Sequence, residues 1–223
     1  MRYTISGEIA QHVRLDFEAN EFAWASRGAI MAYSSQMQWS LRVPGGLGGA
    51  VRRSLSGEGV SLTYLQTEQA NQYALLAANA PGHLYTWDLA NGPVVATRGS
   101  FLAAWGEEID IDVTIARRAG AALFGGAGLF LQKISGHGLV LIHGSGDFYE
   151  RDLATGEQLA VSTGNLAAFA AEVDYDIQGV GGCVKVLFGG EGIFMTRLTG
   201  PGKVLLQTLK RSAGSASSAN AGG

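Results

Sequence analysis

Cysteine is nearly missing from this chain: among 223 residues there is one, Cys183. A lone thiol excludes an intramolecular disulfide and a multi-cysteine zinc site, and it suits a reducing compartment. Proline is scarce as well, with four residues, each beside a glycine or in a turn. Charged residues make up 16% and the formal net charge is −3, which removes any bulk attraction to nucleic acid or to an anionic membrane. No stretch approaches the roughly 18 uninterrupted apolar residues of a membrane-spanning helix. The start of the chain, Met1 to Gly7, lacks the apolar segment of a signal peptide, and acidic residues from Glu8 onward disagree with a transit peptide, so a cytoplasmic location is expected. No segment carries a dozen or so residues with clean 3.6-residue apolar periodicity, which leaves long helices out of the expected fold.

Glycine, by contrast, is abundant, at 33 residues, about twice its usual share. The glycines fall between short apolar, β-favouring runs, as turn residues do in hairpins and meanders. The stretch Gly125 to Ile177 shows the pattern best and reads as six short strands. Its closing segment Val173-Asp174-Tyr175-Asp176-Ile177 alternates apolar and acidic residues, the signature of a half-buried strand.

Copies of this stretch lie on both sides. A G-x-G turn opens an apolar strand at Gly59, Gly128 and Gly192. The alternating strand recurs as Met37 to Leu41, Ile109 to Val113 and Val173 to Ile177, and Leu84 to Gly92 matches Phe148 to Gly156. Three landmarks in the same order at a period of roughly 65 residues indicate a repeat architecture. The expected fold is all-β, with three antiparallel units related by a pseudo-threefold axis in one domain over residues 1–210. The units are expected at about 24–90, 91–156 and 157–209, the last completed by N-terminal strands from 1–23, because sheets avoid long unpaired edges. Residues 211–223, small and uncharged after Arg211, are expected to be a disordered tail.

Candidate chemistry is thin. Asp110 with Asp112, and Asp174 with Asp176, each place two carboxylates about 6.5–7 Å apart on one strand face, a spacing open to acid–base work or a shared hard cation. The first copy has Gln38 and Ser40 there, and a solvated strand face explains the pairs more simply. His83, His137 and His143 fall in or beside turns without metal-ligand spacing. His143, Ser145 and Asp147 have the residue types of a hydrolase triad, but one strand cannot converge positions two residues apart. The glycine runs 45–49 and 125–128 lack the Lys-Ser/Thr and the helix of a phosphate loop. Tryptophans 24, 39, 87 and 105 fall on repeat landmarks and are expected in the core, the alternative being an exposed cluster of them at a subunit contact. The residues to consider for ligand or nucleic-acid contact are the basic pairs Arg52-Arg53 and Arg117-Arg118; Lys210-Arg211 is a third pair, and solvated loop charge is the simpler reading of all three. No catalytic residue, metal site or cofactor is expected.

With the repeat laid out, Pro44 to Leu47 with Ser56 to Gly59, Asp152 to Glu157, Gly189 to Met195 and Leu198 to Gln207 resemble the altered inheritance of mitochondria protein 24, or mitochondrial biogenesis, family. The resemblance covers residues 1 to 210. It implies a double-stranded β-helix-like fold similar to tryptophan RNA-binding attenuation protein, three such units per chain, and homo-oligomers, with a trimer favoured. It carries no catalytic motif. The expected function is therefore a non-enzymatic oligomeric scaffold with an unidentified protein partner. The alternative is a small-molecule or RNA-binding module of the attenuation-protein kind, although the acidic balance makes nucleic acid an unfavoured partner.

Overall fold

The computed structural model describes residues 1–44, 61–97, 99–116, 129–179 and 194–211. Within them the chain is all-β, relieved only by single 3₁₀ turns at Leu89–Asn91 and Thr163–Asn165. The first strands are β1 (Arg2–Ser6), β2 (His12–Phe17), β3 (Phe22–Ala25), β4 (Ile30–Tyr33), β5 (Gln38–Arg42), β6 (Leu62–Gln66) and β7 (Gln72–Ala77). Then come β8 (Gly82–Asp88), β9 (Val94–Thr97) and two long strands, β10 (Phe101–Ala116) and β11 (Leu129–Ser145). The last are β12 (Phe148–Leu153), β13 (Gln158–Ser162), β14 (Leu166–Ala170), β15 (Asp174–Gly179), β16 (Phe194–Thr199) and β17 (Gly202–Gln207).

Pairing is antiparallel throughout these ladders. The consecutive strands β6 and β7 enter different sheets, so that β7 lies between β2 and β4 while β6 lies between β3 and β5. In the same way β17 lies between β12 and β14, and β16 between β13 and β15. In the middle of the chain one long strand takes both places. Residues 139–145 of β11 pair with β8 and with the start of β10; residues 129–135 pair with the end of β10 and, over 131–134, with β9. Two further ladders join these groups, β3 to β10 and β9 to β14. A bulge falls at the same place three times: Met31, Leu102 and Ala167 are each skipped one residue into β4, β10 and β14.

Alternating side chains fill two apolar clusters. One holds Val13, Leu15, Phe17, Leu65, Leu76, Leu102 and Leu141; the other holds Phe101, Ile111, Leu131, Ile142, Phe169, Leu198 and Val204. Because neighbouring residues of a strand face opposite ways, β10 and β11 contribute to both clusters.

Two expectations need correction. The N-terminal strands do not complete the last unit: β2 and β3 pair with β7 and β6, where Val13, Leu15, Phe17, Ala23 and Ala25 pack with Leu65, Ala74 and Leu76. The inserted strands β6 and β7, like β16 and β17, thus find their flanking strands in the residues just before them, and closure through the termini is not needed. The run from Leu129 to His143 is also not two strands split by a turn, but one strand bent at its glycines. Gly138 (φ +150°) lies against Gly106 (φ +139°) of β10, and a Cβ on Gly138 would overlap the Trp105 carbonyl oxygen. Two facing residues without side chains let the ladder pass through the bend. The G-x-G landmarks lie outside the described residues.

Candidate functional site

Arg52, Arg53, Arg117 and Arg118, with Cys183 and the glycine runs 45–49 and 125–128, lie outside the described residues. The third basic pair is within them, and Arg211 is not solvated loop charge. Its backbone N–H donates to the Gly164 carbonyl, and its guanidinium turns inward to the Ser100 hydroxyl and to His143. Nη2 lies 2.5 Å from His143 Nδ1 and donates at 3.0 Å to the His143 carbonyl. Burial lowers the Arg211 pKa to about 10. Burial, then the Arg211 charge, lowers that of His143 to about 4. His143 is therefore neutral at pH 7. A guanidinium can only donate, so Nδ1 accepts and the ring proton sits on Nε2. That atom is buried and, among the described residues, meets no partner in good hydrogen-bond geometry.

The three residue types of a hydrolase triad diverge here. His83, not His143, meets Asp147, at 3.2 Å from Nδ1 to Oδ1, and the same nitrogen donates to the Gly146 carbonyl at 2.9 Å. Ser145 is buried, and its N–H donates to Gln207 Oε1 at 3.0 Å. This is a packed junction tying the end of β17 to β11.

The paired carboxylates behave as strand residues. Asp110 and Asp112 stand opposite Ser135 and Lys133 with Ile111 buried between them; Asp174 and Asp176 stand opposite Thr199 and Arg197. Among the described residues, no three His, Cys, Asp or Glu side chains are grouped to hold a metal ion.

The outstanding feature is apolar. Eight large apolar side chains among the described residues are exposed, and five of them, Met31, Tyr33, Trp39, Leu41 and Val43, lie on or beside β4 and β5. Trp39 Nε1 donates to the Tyr33 hydroxyl at 3.3 Å, bridging the two strands. Beside them Arg42 lies 3.8 Å from the centre of the Tyr64 ring, which also packs against Phe22 and Trp24. Sequence reasoning put all four tryptophans in the core. That holds for Trp87 and Trp105, each 5% exposed, but Trp39 is 50% exposed. The alternation of Met37 to Leu41 is the same as in buried strands, so nothing local to it could have shown the difference.

The chain matches the family model described as mitochondrial biogenesis AIM24 over residues 3–209. It is 29% identical over 219 residues to an uncharacterised protein of Streptococcus pyogenes serotype M6, an alignment covering 94% of this chain and 86% of that protein. A crystal structure of a Streptococcus pyogenes protein is similar at 25% identity, with a TM-score of 0.75 and 94% of each chain covered.

Proposed function

Because the chain belongs to the mitochondrial biogenesis AIM24 family, we propose from that premise that it is a non-catalytic assembly protein acting through its sheet surfaces as an oligomer. The observation that carries this reading is the exposure of Met31, Tyr33, Trp39, Leu41 and Val43 on and beside two consecutive strands, which Trp39 and Tyr33 bridge by a hydrogen bond. A concentration of exposed apolar side chains is a mark of association surfaces, and Trp is among the side chains that most often dominate their energetics. The three like pairing patterns support reading the chain as three copies of one attenuation-protein-like module, set in a row by the β3–β10 and β9–β14 ladders. A cytoplasmic location belongs to the same reading.

The test is direct. Trp39→Asp and Leu41→Asp should abolish the chain's association, measured as mass by light scattering, while its melting temperature is kept. Retention of the wild-type mass in both would overturn the reading. A second reading, an RNA or small-molecule binder, is favoured by the Arg42–Tyr64–Phe22–Trp24 group, since bases stack on such aromatic and guanidinium faces. Purified protein that carries nucleic-acid absorbance, or is thermally stabilised by tryptophan or nucleotides, would favour it over the first.

A further inference from the structure

The third strand of each pairing group can be compared through its bulge. Met31, Leu102 and Ala167 are equivalent, and so are Ala32, Ala103 and Ala168, then Tyr33, Ala104 and Phe169. In β10 and β14 the outer edge at these positions is taken by the second strand of the preceding group: Ala103 and Ala104 pair with Ala25 and Trp24, while Ala168 and Phe169 pair with Ala96 and Val95. The junction is made twice in the same register. Among the described residues it leaves two strands without their counterpart, β4 at the front of the chain and β13 at the back. Both are terminal strands of their sheets.

Burial follows the junction. Leu102 and Ala167 are 1% and 0% exposed, whereas Met31 is 58% exposed; Phe169 is 1% exposed and Tyr33 43%. The next strand behaves alike. Trp39 and Leu41 occupy the register of Tyr175 and Ile177, and Leu41 is 47% exposed where Ile177 is 1%. The same two positions meet in both groups, though differently: Trp39 Nε1 donates to the Tyr33 hydroxyl, while the rings of Phe169 and Tyr175 lie 5.5 Å apart. The strip is thus a junction face that has no group before it. Neither β4 (Ile-Met-Ala-Tyr) nor β13 (Gln-Leu-Ala-Val-Ser) carries the charge or proline with which free sheet edges are usually protected.

We propose that copies of this chain join head to tail, the outer edge of β13 in one copy pairing antiparallel with the outer edge of β4 in the next. The register follows from the two internal junctions, in which a residue five positions before the start of its own third strand meets the residue two positions into the partner's. Val161 pairs with Ala32 of the next copy, and Ala160 with its Tyr33. Ser162 takes the place of Ser26, whose N–H and hydroxyl donate to the carbonyls of Leu102 and Phe101; its acceptors in the next copy are the carbonyls of Met31 and Ile30. The contact is heterologous, so it builds a ring when the rotation closes and an open filament otherwise. It rests on the assembly reading above and names the partner as a second copy.

Full-length chain should run in size-exclusion chromatography with light scattering as two or more copies at micromolar concentration. Tyr33→Glu and Ala160→Glu, each at an exposed position, should both reduce the mass to one chain with cooperative melting intact. Mixed in equal amounts, they should form a dimer and no more, since each variant keeps one sound edge. Met31→Glu tests the same β4 edge should Tyr33→Glu fail to fold. A monomeric wild type, variants of wild-type mass, or a mixture that stays monomeric would overturn the pairing. If Trp39→Asp splits the assembly and the edge variants do not, the assembly reading stands and the head-to-tail pairing falls.

Discussion

Single glycines and one histidine carry constraints out of proportion to their size. At Gly138 the left-handed backbone and the overlap with Trp105 act together, so Gly138→Ala should cost about 3 kcal/mol or more, lowering the melting temperature by roughly 6–12 °C. Gly156, also left-handed at φ +77°, has nothing within 4 Å of an added Cβ, so Gly156→Ala should cost only about 1 kcal/mol. Equal losses in thermal melts would contradict this account of the bend. His143 sets a pH dependence. Its folded pKa of about 4 lies below the 6.5 of the free side chain, so between those values the unfolded chain binds a proton that the folded chain does not. Stability therefore falls as pH drops from about 6.5 to about 4. His143→Gln should flatten this part of the profile, seen as a smaller difference in melting temperature between pH 7 and pH 4.5 than in wild type.

At the scale of strands, the equivalence of β4, β10 and β14 has an energetic consequence. Phe169→Ala removes a fully buried ring and should cost about 3–5 kcal/mol. Tyr33→Ala, in the same register on an edge, should cost under about 1 kcal/mol in the monomer. Chemical denaturation of both variants measures the contrast, and similar losses would sink the equivalence. Much at this scale was legible in the sequence. The alternation in Ile109 to Val113 and Val173 to Ile177 marked the buried faces, and Gln38 and Ser40 were matched to the aspartate pairs in the register the ladders show. The continuity of β11 was not legible, because glycine punctuates a turn and permits a bend with the same residue.

For the molecule as a whole, β10 and β11 tie the two apolar clusters together, with Leu102 and Leu141 in one and Phe101 and Ile142 in the other. Neither cluster can be exposed without breaking strands that the other needs, so guanidinium denaturation should give coincident single transitions by tryptophan fluorescence and far-UV circular dichroism. Two separated transitions would show independent domains instead. The candidate site belongs to this scale. Trp39 and Leu41 differ from their buried counterparts by position along the row of pairing groups, and by nothing in their own strand.

The sequence by itself determined that the chain is all-β, because side-chain alternation and turn glycines are local properties written every few residues. Which strands become neighbours was decided in three dimensions. Pairing β2 and β3 with β7 and β6, rather than with the distant C-terminal strands, depends on which apolar faces bury each other. That choice also left β4 and β13 as edges. An unpaired edge is a property of what is not beside a strand, and a strand's own residues do not record it.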